Sequence, residues 1–221
     1  MTFQRARTDE QREARRRQIL QTAWEMLTQM PVAKLSLNEL SRRAGLAKPN
    51  VLRYFESREA ILLELLNAEL ADWVDGLKEA PLPQGTARER GDALAAALAA
   101  SIAARPVLCD LASAQAAVLE RNISTDVALR HKHAANAAAA DLTALVRRAL
   151  PELAAEDAYD VVVVTLVHAS ALWPHSQPSE AVRAAYAADP SLAGFRLDFT
   201  QALGHAIELV ISGLVARRGE G

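Results

Sequence analysis

The stretch Ser36 to Glu59, SLNELSRRAGLAKPNVLRYFESRE, leaves few folds open because it sets two short helical patterns on either side of a tight turn. Leu37, Leu40 and Ala44 recur at three- and four-residue spacing, and Ser36 with Glu39 has the S-x-x-E form of a capping box. A helix is therefore expected to start at Leu37. Gly45 can take the left-handed conformation that ends a helix, so the chain turns before Lys48. Pro49 fits only a first helical turn, where its missing N–H costs nothing. In the second helix Val51 and Phe55 share a face, and with Leu46 they can pack on Leu37, Leu40 and Ala44. Lys48, Pro49, Asn50, Arg53 and Tyr54 then point largely outward. The pattern reads as a helix-turn-helix.

Such an outward face suits the major groove of DNA. Arg can make a bidentate contact to guanine and Asn to adenine, while Lys and Tyr hold phosphates. Periodicity alone equally allows an ordinary solvated helix face. The run AGLAKPNVLRYFESREAILLELL goes further. It resembles the DNA-binding signature of the TetR family of bacterial one-component regulators, with an Ala-Gly-aliphatic turn, a recognition helix ending in Tyr-Phe, and Ser-basic-Glu opening the next helix. The resemblance covers about residues 15 to 65; beyond them it is one of architecture. It implies base-edge contacts from Asn50 and Arg53, and phosphate contacts from Ser36, Arg42, Lys48, Tyr54 and Arg58. Many family members carry Tyr where this chain has Leu52, which leaves Leu52 either to the core or to a thymine methyl.

Around this motif the chain reads as all-α. Alanine, leucine, arginine and glutamate dominate its 221 residues, and aromatic residues make up 5%. Ile19, Leu20, Ala23, Trp24 and Leu27 form an apolar stripe on a helix over about Arg12 to Met30, stopped by Pro31. Residues 1 to 10 are expected to form a mobile arm in which Arg5 and Arg7 reach DNA or stay solvated. Ser57 caps a fourth helix running to about Leu77, which joins an N-terminal helix-turn-helix domain, residues 1–57, to a C-terminal helical bundle, residues 58–221. APLPQGT, Ala80 to Thr86, is the clearest linker, and Thr86 with Glu89 starts another helix through about Ala104. Further helices are expected over Cys109 to Glu120, Ser124 to Leu150, Glu156 to Leu172 with Trp173 and Pro174 as its stop, Ser179 to Ala188, and Arg196 to Arg217. The alanine clusters Ala95 to Ala100 and Ala134 to Ala140 permit close helix approach.

Charge is divided along the chain. Residues 1–60 carry 12 basic and 7 acidic residues, and residues 61–221 carry 13 basic and 20 acidic. That asymmetry suits one part that meets nucleic acid and another that does not. The single cysteine, Cys109, excludes an intrachain disulfide and fits a reducing compartment. No signal-peptide pattern opens the chain, and Val161 to Trp173, taken as the longest apolar segment, is too short to span a bilayer. A cytoplasmic protein without membrane partners is expected.

The runs VVVVTLVHASAL and FTQALGHAIELVISGLVARR are apolar around much of their circumference. A helix of that kind is buried on more than one side. A homodimer through the last two long helices accounts for this, with His205 at its interface; burial within one chain is the competing reading. The family resemblance also implies a small-molecule effector inside the bundle. Unusual polar or aromatic residues on apolar helices are the candidates to line its pocket: Trp73, Cys109, Gln115, His131, His168 and Trp173. For each, simple core packing competes. The five histidines lack metal-ligand spacing, and no phosphate-binding glycine loop or nucleophile elbow occurs, so no metal, cofactor or catalytic group is expected. The expected function is a ligand-responsive repressor that binds a pseudo-palindromic operator as a dimer and is released by a small molecule. Two alternatives are a helical small-molecule binder or enzyme retaining a vestigial helix-turn-helix, and an architectural DNA protein.

Overall fold

The computed structural model describes residues 2–219, without the side chains of residues 2–9, 193 and 219. Among these the chain forms ten α-helices and no strand. α1 (Thr2–Leu27), α2 (Leu37–Arg43) and α3 (Lys48–Val51) build the N-terminal headpiece. α4 (Arg58–Glu79) leads out of it. α5 (Ala87–Ala103), α6 (Pro106–Ala114), α7 (Thr125–Ala149), α8 (Ala155–Ser176), α9 (Glu180–Ala188) and α10 (Phe199–Gly219) follow.

Ile19, Ala23, Met26 and Leu27 of α1 are buried at helical spacing, together with Leu40, Val51 and Phe55. Ile61, Leu62, Leu63, Leu65 and Leu66 are also buried, so the first turns of α4 are enclosed nearly all round. Each such side chain contributes about 1.5–3 kcal/mol on leaving water. Trp24 departs from the expected stripe. It is 36% exposed and donates from Nε1 to Glu69 Oε1 of α4 at 2.8 Å, while Met26 takes the core position.

Several boundaries differ from the sequence expectation for local reasons. α1 begins at Thr2, so the backbone expected as a mobile arm is helical; the side chains of Arg5 and Arg7 lie outside the described residues. α1 stops at Leu27 because the chain closes a turn, with Met30 N donating to Met26 O at 3.0 Å, before Pro31 is reached. The expected helix over Cys109 to Glu120 is divided: α6 ends at Ala114 and a π-helical turn occupies Gln115–Leu119. Pro174 does not stop α8, which continues to Ser176. A proline in a last turn forfeits one N–H, and here the Ser176 hydroxyl and the Gln177 N–H satisfy the carbonyls of Trp173 and Pro174.

α4 packs on α1 near its start and on α6 and α7 further along; α8 lies against α6, α7 and α10, and α10 also lies along α5. At the α5–α10 crossing a Cβ on Gly91 would sit 2.8 Å from Ile211 Cγ2, so glycine sets the approach of the two helices. α10 also corrects the estimate of the longest apolar segment: Phe199–Arg218 is long and apolar enough to cross a membrane by length and composition. In the bundle its Leu203, Ile207 and Ile211 are buried.

Two carboxylates join headpiece to bundle by accepting from backbone amides. Asp110 of α6 takes Val32 N–H at 2.6 Å, and Glu56 takes Ser124 N–H, at the start of α7, at 2.6 Å. Thr86 caps α5 with both halves of a capping box, its hydroxyl accepting from Glu89 N–H and its own N–H donating to Glu89 Oε2. Thr86→Ala is expected to lower stability by about 1 kcal/mol in thermal unfolding, without altering the far-ultraviolet helical spectrum.

Candidate functional site

The first candidate site is the exposed edge of the helix-turn-helix. Ser36 Oγ accepts from Glu39 N–H at 3.2 Å and starts α2. Gly45 sits at φ 67°, the left-handed value needed to turn the chain out of α2. α3 opens with Pro49 in its first turn and is only four residues long, continuing as a looser turn in which Tyr54 N–H and Phe55 N–H both donate to Val51 O. Val51 and Phe55 are buried inward, while Lys48, Pro49, Asn50 and Arg53 are exposed and Tyr54 is half-buried. Leu52 is 41% exposed, so the core alternative for it falls away.

Arg16 of α1 fixes this segment from behind. Its guanidinium donates to Tyr54 O at 2.6 Å and to Glu64 Oε2 at 2.5 Å, and lies over the Phe55 ring 4.3 Å from its centroid. Arg53 and Tyr54 also line a cleft of about 770 Å³ with Gln11, Arg12, Arg15 and Gln18. Sequence reasoning missed Arg12 and Arg15 as part of this surface. Their helical spacing with Gln18 and Ile19 carried the signal, since it puts Arg15 one turn and Arg12 about two turns nearer the N-terminus.

Two of the expected phosphate ligands are engaged within the protein. Arg42 donates to Glu39 from Nε and Nη2 at 3.0 and 2.6 Å, and Arg43 donates to the same carboxylate at 2.9 Å. Arg58 donates to Leu35 O at 2.9 Å and to Glu59 Oε1 at 3.0 Å, stitching the start of α2 to α4. The Arg42 hydrogen bonds, then that of Arg43, push the Glu39 carboxyl down from 4.5 to about 2. A depressed folded value means that this pairing supports the fold fully above about pH 4.5 and is lost as pH falls through about 2. A titration followed by carboxyl nuclear magnetic resonance should place the Glu39 midpoint near 2, and Arg42→Ala should move it upward.

The second candidate is a half-open cavity of about 310 Å³ lined by α4, α5, α6, the π turn, α7 and α8, with the exposed Val167 at its edge. Leu66, Leu70, Ile102, Leu108 and Leu166 give it an apolar wall, and Cys109, Gln115 and His131 bring its polar groups. The other three candidates lie elsewhere. Trp73 is buried in the bundle core and donates from Nε1 to Ser101 Oγ at 3.0 Å. His168 is exposed, with Nδ1 3.0 Å from Val164 O of its own helix, which departs from the expectation of a histidine enclosed in an apolar run. That run is apolar on its outer face as well, with Val163 and Val167 exposed beside it. Trp173 packs edge-on against Phe199, the ring centroids 5.2 Å apart.

Within the cavity wall, burial pushes the Cys109 thiol up to about 12, and its Sγ lies 3.3 Å from Ile102 O. That thiol is a packed donor with no nucleophilic character. Burial, then the Lys132 charge, depress the His131 pKa below its ordinary value, against an opposing pull from Glu120.

Comparison with known proteins bears on both sites. The family model described as bacterial regulatory proteins, tetR family, matches residues 19–65, and the one described as tetracyclin repressor-like, C-terminal domain, matches residues 67–218. The chain is 43% identical over 49 residues to the HTH-type transcriptional regulator EthR of Mycobacterium tuberculosis, a match covering 22% of this chain and 23% of that regulator. Among solved structures it is similar to the transcriptional regulator FadR from Bacillus subtilis in complex with stearoyl-CoA, with TM-score 0.54, 14% identity, and coverage of 89% of this chain and 97% of that one. It is also similar to a TetR transcriptional regulator from a Rhodococcus species, with TM-score 0.53, 15% identity, and coverage of 92% and 99%. These likenesses share one fold, and with both halves of the chain matched by the family's own models, the protein belongs to the TetR family of bacterial regulatory proteins.

Proposed function

We propose that this protein is a ligand-responsive transcriptional repressor that binds a pseudo-palindromic operator as a homodimer in the cytoplasm and is released by a small molecule. Residues 1–57 serve as the DNA-binding part and residues 58–221 as the effector-binding and dimerising part. One observation carries the reading. α4 holds the recognition segment at its start, through Glu64 and Arg16, and lines the bundle cavity with Leu66 and Leu70 within the next two turns. A molecule that changes the packing around those leucines acts on the element that orients the recognition edge. Its differential affinity for the two arrangements sets how far operator binding falls.

On the DNA side Asn50 and Arg53 read base edges, and Ser36, Lys48 and Tyr54 hold phosphates, joined by Arg12 and Arg15 from α1. Arg42 serves only by sharing or leaving Glu39, and Arg58 acts chiefly as an internal brace. The dimer uses the outer faces of α8 and α10, where Tyr159, Val163 and Val167 recur every four residues and Leu209 is 59% exposed one turn after His205. An apolar row of this kind fits a four-helix interface between two copies.

The deciding experiment is selection of binding sites from random duplex DNA with the purified full-length protein at two salt concentrations. The reading requires recovery of an inverted repeat with affinity that falls as salt rises. A folded protein that enriches no sequence at low salt would overturn it.

A further inference from the structure

Resting on the reading of the bundle cavity as the effector site, α6 gives that cavity a mechanical connection to the recognition edge that is separate from α4. Leu108, Cys109 and Ala112 of α6 line the cavity. On an α-helix these three positions share an arc of about 100°, and Asp110 projects about 150° from the middle of that arc, on the far side of the helix. There its carboxylate accepts from Val32 N–H at 2.6 Å. Val32 is buried and opens the 3₁₀ turn Val32–Lys34, whose first N–H has no acceptor inside the turn. Among the described residues Asp110 pairs with no cation, and this amide is the one partner its side chain has.

The segment that receives this bond leads straight into α2. Leu35, the residue after the turn, is buried and gives its carbonyl to Arg58 at the start of α4, and Ser36 then caps α2. The segment from Val32 to Leu35 is thus held from two sides, by α4 through Arg58 and by α6 through Asp110. α6 is nine residues long and hydrogen-bonded within itself, so its cavity side and its Asp110 side move as one body. The bond has no slack. At 2.6 Å the oxygen stands at the short limit of N–H···O contacts, so α6 cannot advance without pushing Val32, and a retreat of about 1 Å ends the bond. A wedge in the cavity that shifts α6 therefore acts on the start of α2, in addition to what it does through α4.

We infer that Asp110 is a positioning residue that couples occupancy of the cavity to operator binding, by carrying the displacement of α6 to Val32. A wedge built into the cavity wall stands in for an effector: Ala112→Phe from α6, or Ser170→Phe from α8 if the first does not fold. Operator affinity of the full-length protein is measured for the wedge alone and for the wedge combined with Asp110→Ala or Asp110→Asn. The wedge should weaken operator binding about tenfold in the wild-type background and about twofold or less beside Asp110→Ala. Beside Asp110→Asn the loss should return to about tenfold, because the amide oxygen restores the acceptor. An Asp110 with a merely structural role would lower stability and leave the wedge effect unchanged. Hydrogen exchange needs neither Asp110 variant. The wedge should speed exchange of the Val32 amide about tenfold, while that of Leu40, bonded to Ser36 O at the start of α2, stays as it was. An equal wedge effect with and without the Asp110 carboxylate, no recovery with Asp110→Asn, or a Val32 amide indifferent to the wedge overturns the coupling through Asp110 and leaves the cavity acting through α4 alone. A folded wedge variant with unchanged operator affinity overturns the cavity reading and the inference with it.

Discussion

Arg53→Ala should weaken binding to the selected operator by about 1–3 kcal/mol per half-site and flatten the preference at one base position in each. The guanidinium is exposed at the end of the recognition turn, held at a fixed height by the buried Val51 and Phe55 beneath it and by Arg16 behind the Tyr54 carbonyl. A side chain so mounted can keep the planar, bidentate approach that reads guanine. Lys48 is also exposed but sits at the first residue of α3, where a point charge meets backbone. Lys48→Ala should therefore weaken all sequences alike and reduce the slope of log affinity against log salt by about one. Affinities on the operator and its single-base variants at two salt concentrations separate the two patterns. Equal losses on every sequence for Arg53→Ala would remove its base-reading role.

Trp73→Ala should lower global stability by about 3–5 kcal/mol, the largest effect expected from any single truncation in the bundle. Trp73 is 1% exposed and stands where α4 meets α5, its indole N–H given to Ser101 Oγ, which in turn donates to Leu98 O. The truncation removes a large apolar volume and a donor together. Trp73→Phe retains most of the volume and loses only the hydrogen bond, so its cost should be nearer 1 kcal/mol. Urea unfolding followed by circular dichroism measures both. A loss below about 1 kcal/mol for Trp73→Ala would mean that the surrounding helices close over the space, contrary to the packing described.

The helix-turn-helix was readable because its determinants are local. Ser36 caps across three residues, Gly45 turns, Pro49 opens a helix, and Val51 and Phe55 are four apart. What could not be read there is tertiary. Nothing in the run EARRR says that Arg16 will find the Tyr54 carbonyl 38 residues away and Glu64 48 residues away, or that Glu39 will serve Arg42 and Arg43 in place of its own cap. The cavity is further from the sequence still, since five helices and a turn contribute to it. Cys109, Gln115 and His131 were visible as oddities on apolar helices, yet Trp73, His168 and Trp173 were equally odd and went to core, outer face and a helix end. A linear pattern gives the face a residue occupies modulo one turn; which faces enclose space depends on crossing angles that no local rule supplies.

The π-helical turn at Gln115–Leu119 decides which neighbour Gln115 meets. Its hydrogen bond from Glu120 N–H to Gln115 O, 3.1 Å, spans five residues, which brings two side chains that would diverge on an α-helix close enough for Gln115 to donate to Glu120. A wide turn of this kind holds one residue more than the helix needs. Gln115 stands both in that turn and in the cavity wall, so the width of the turn and the lining of the cavity are one geometric fact.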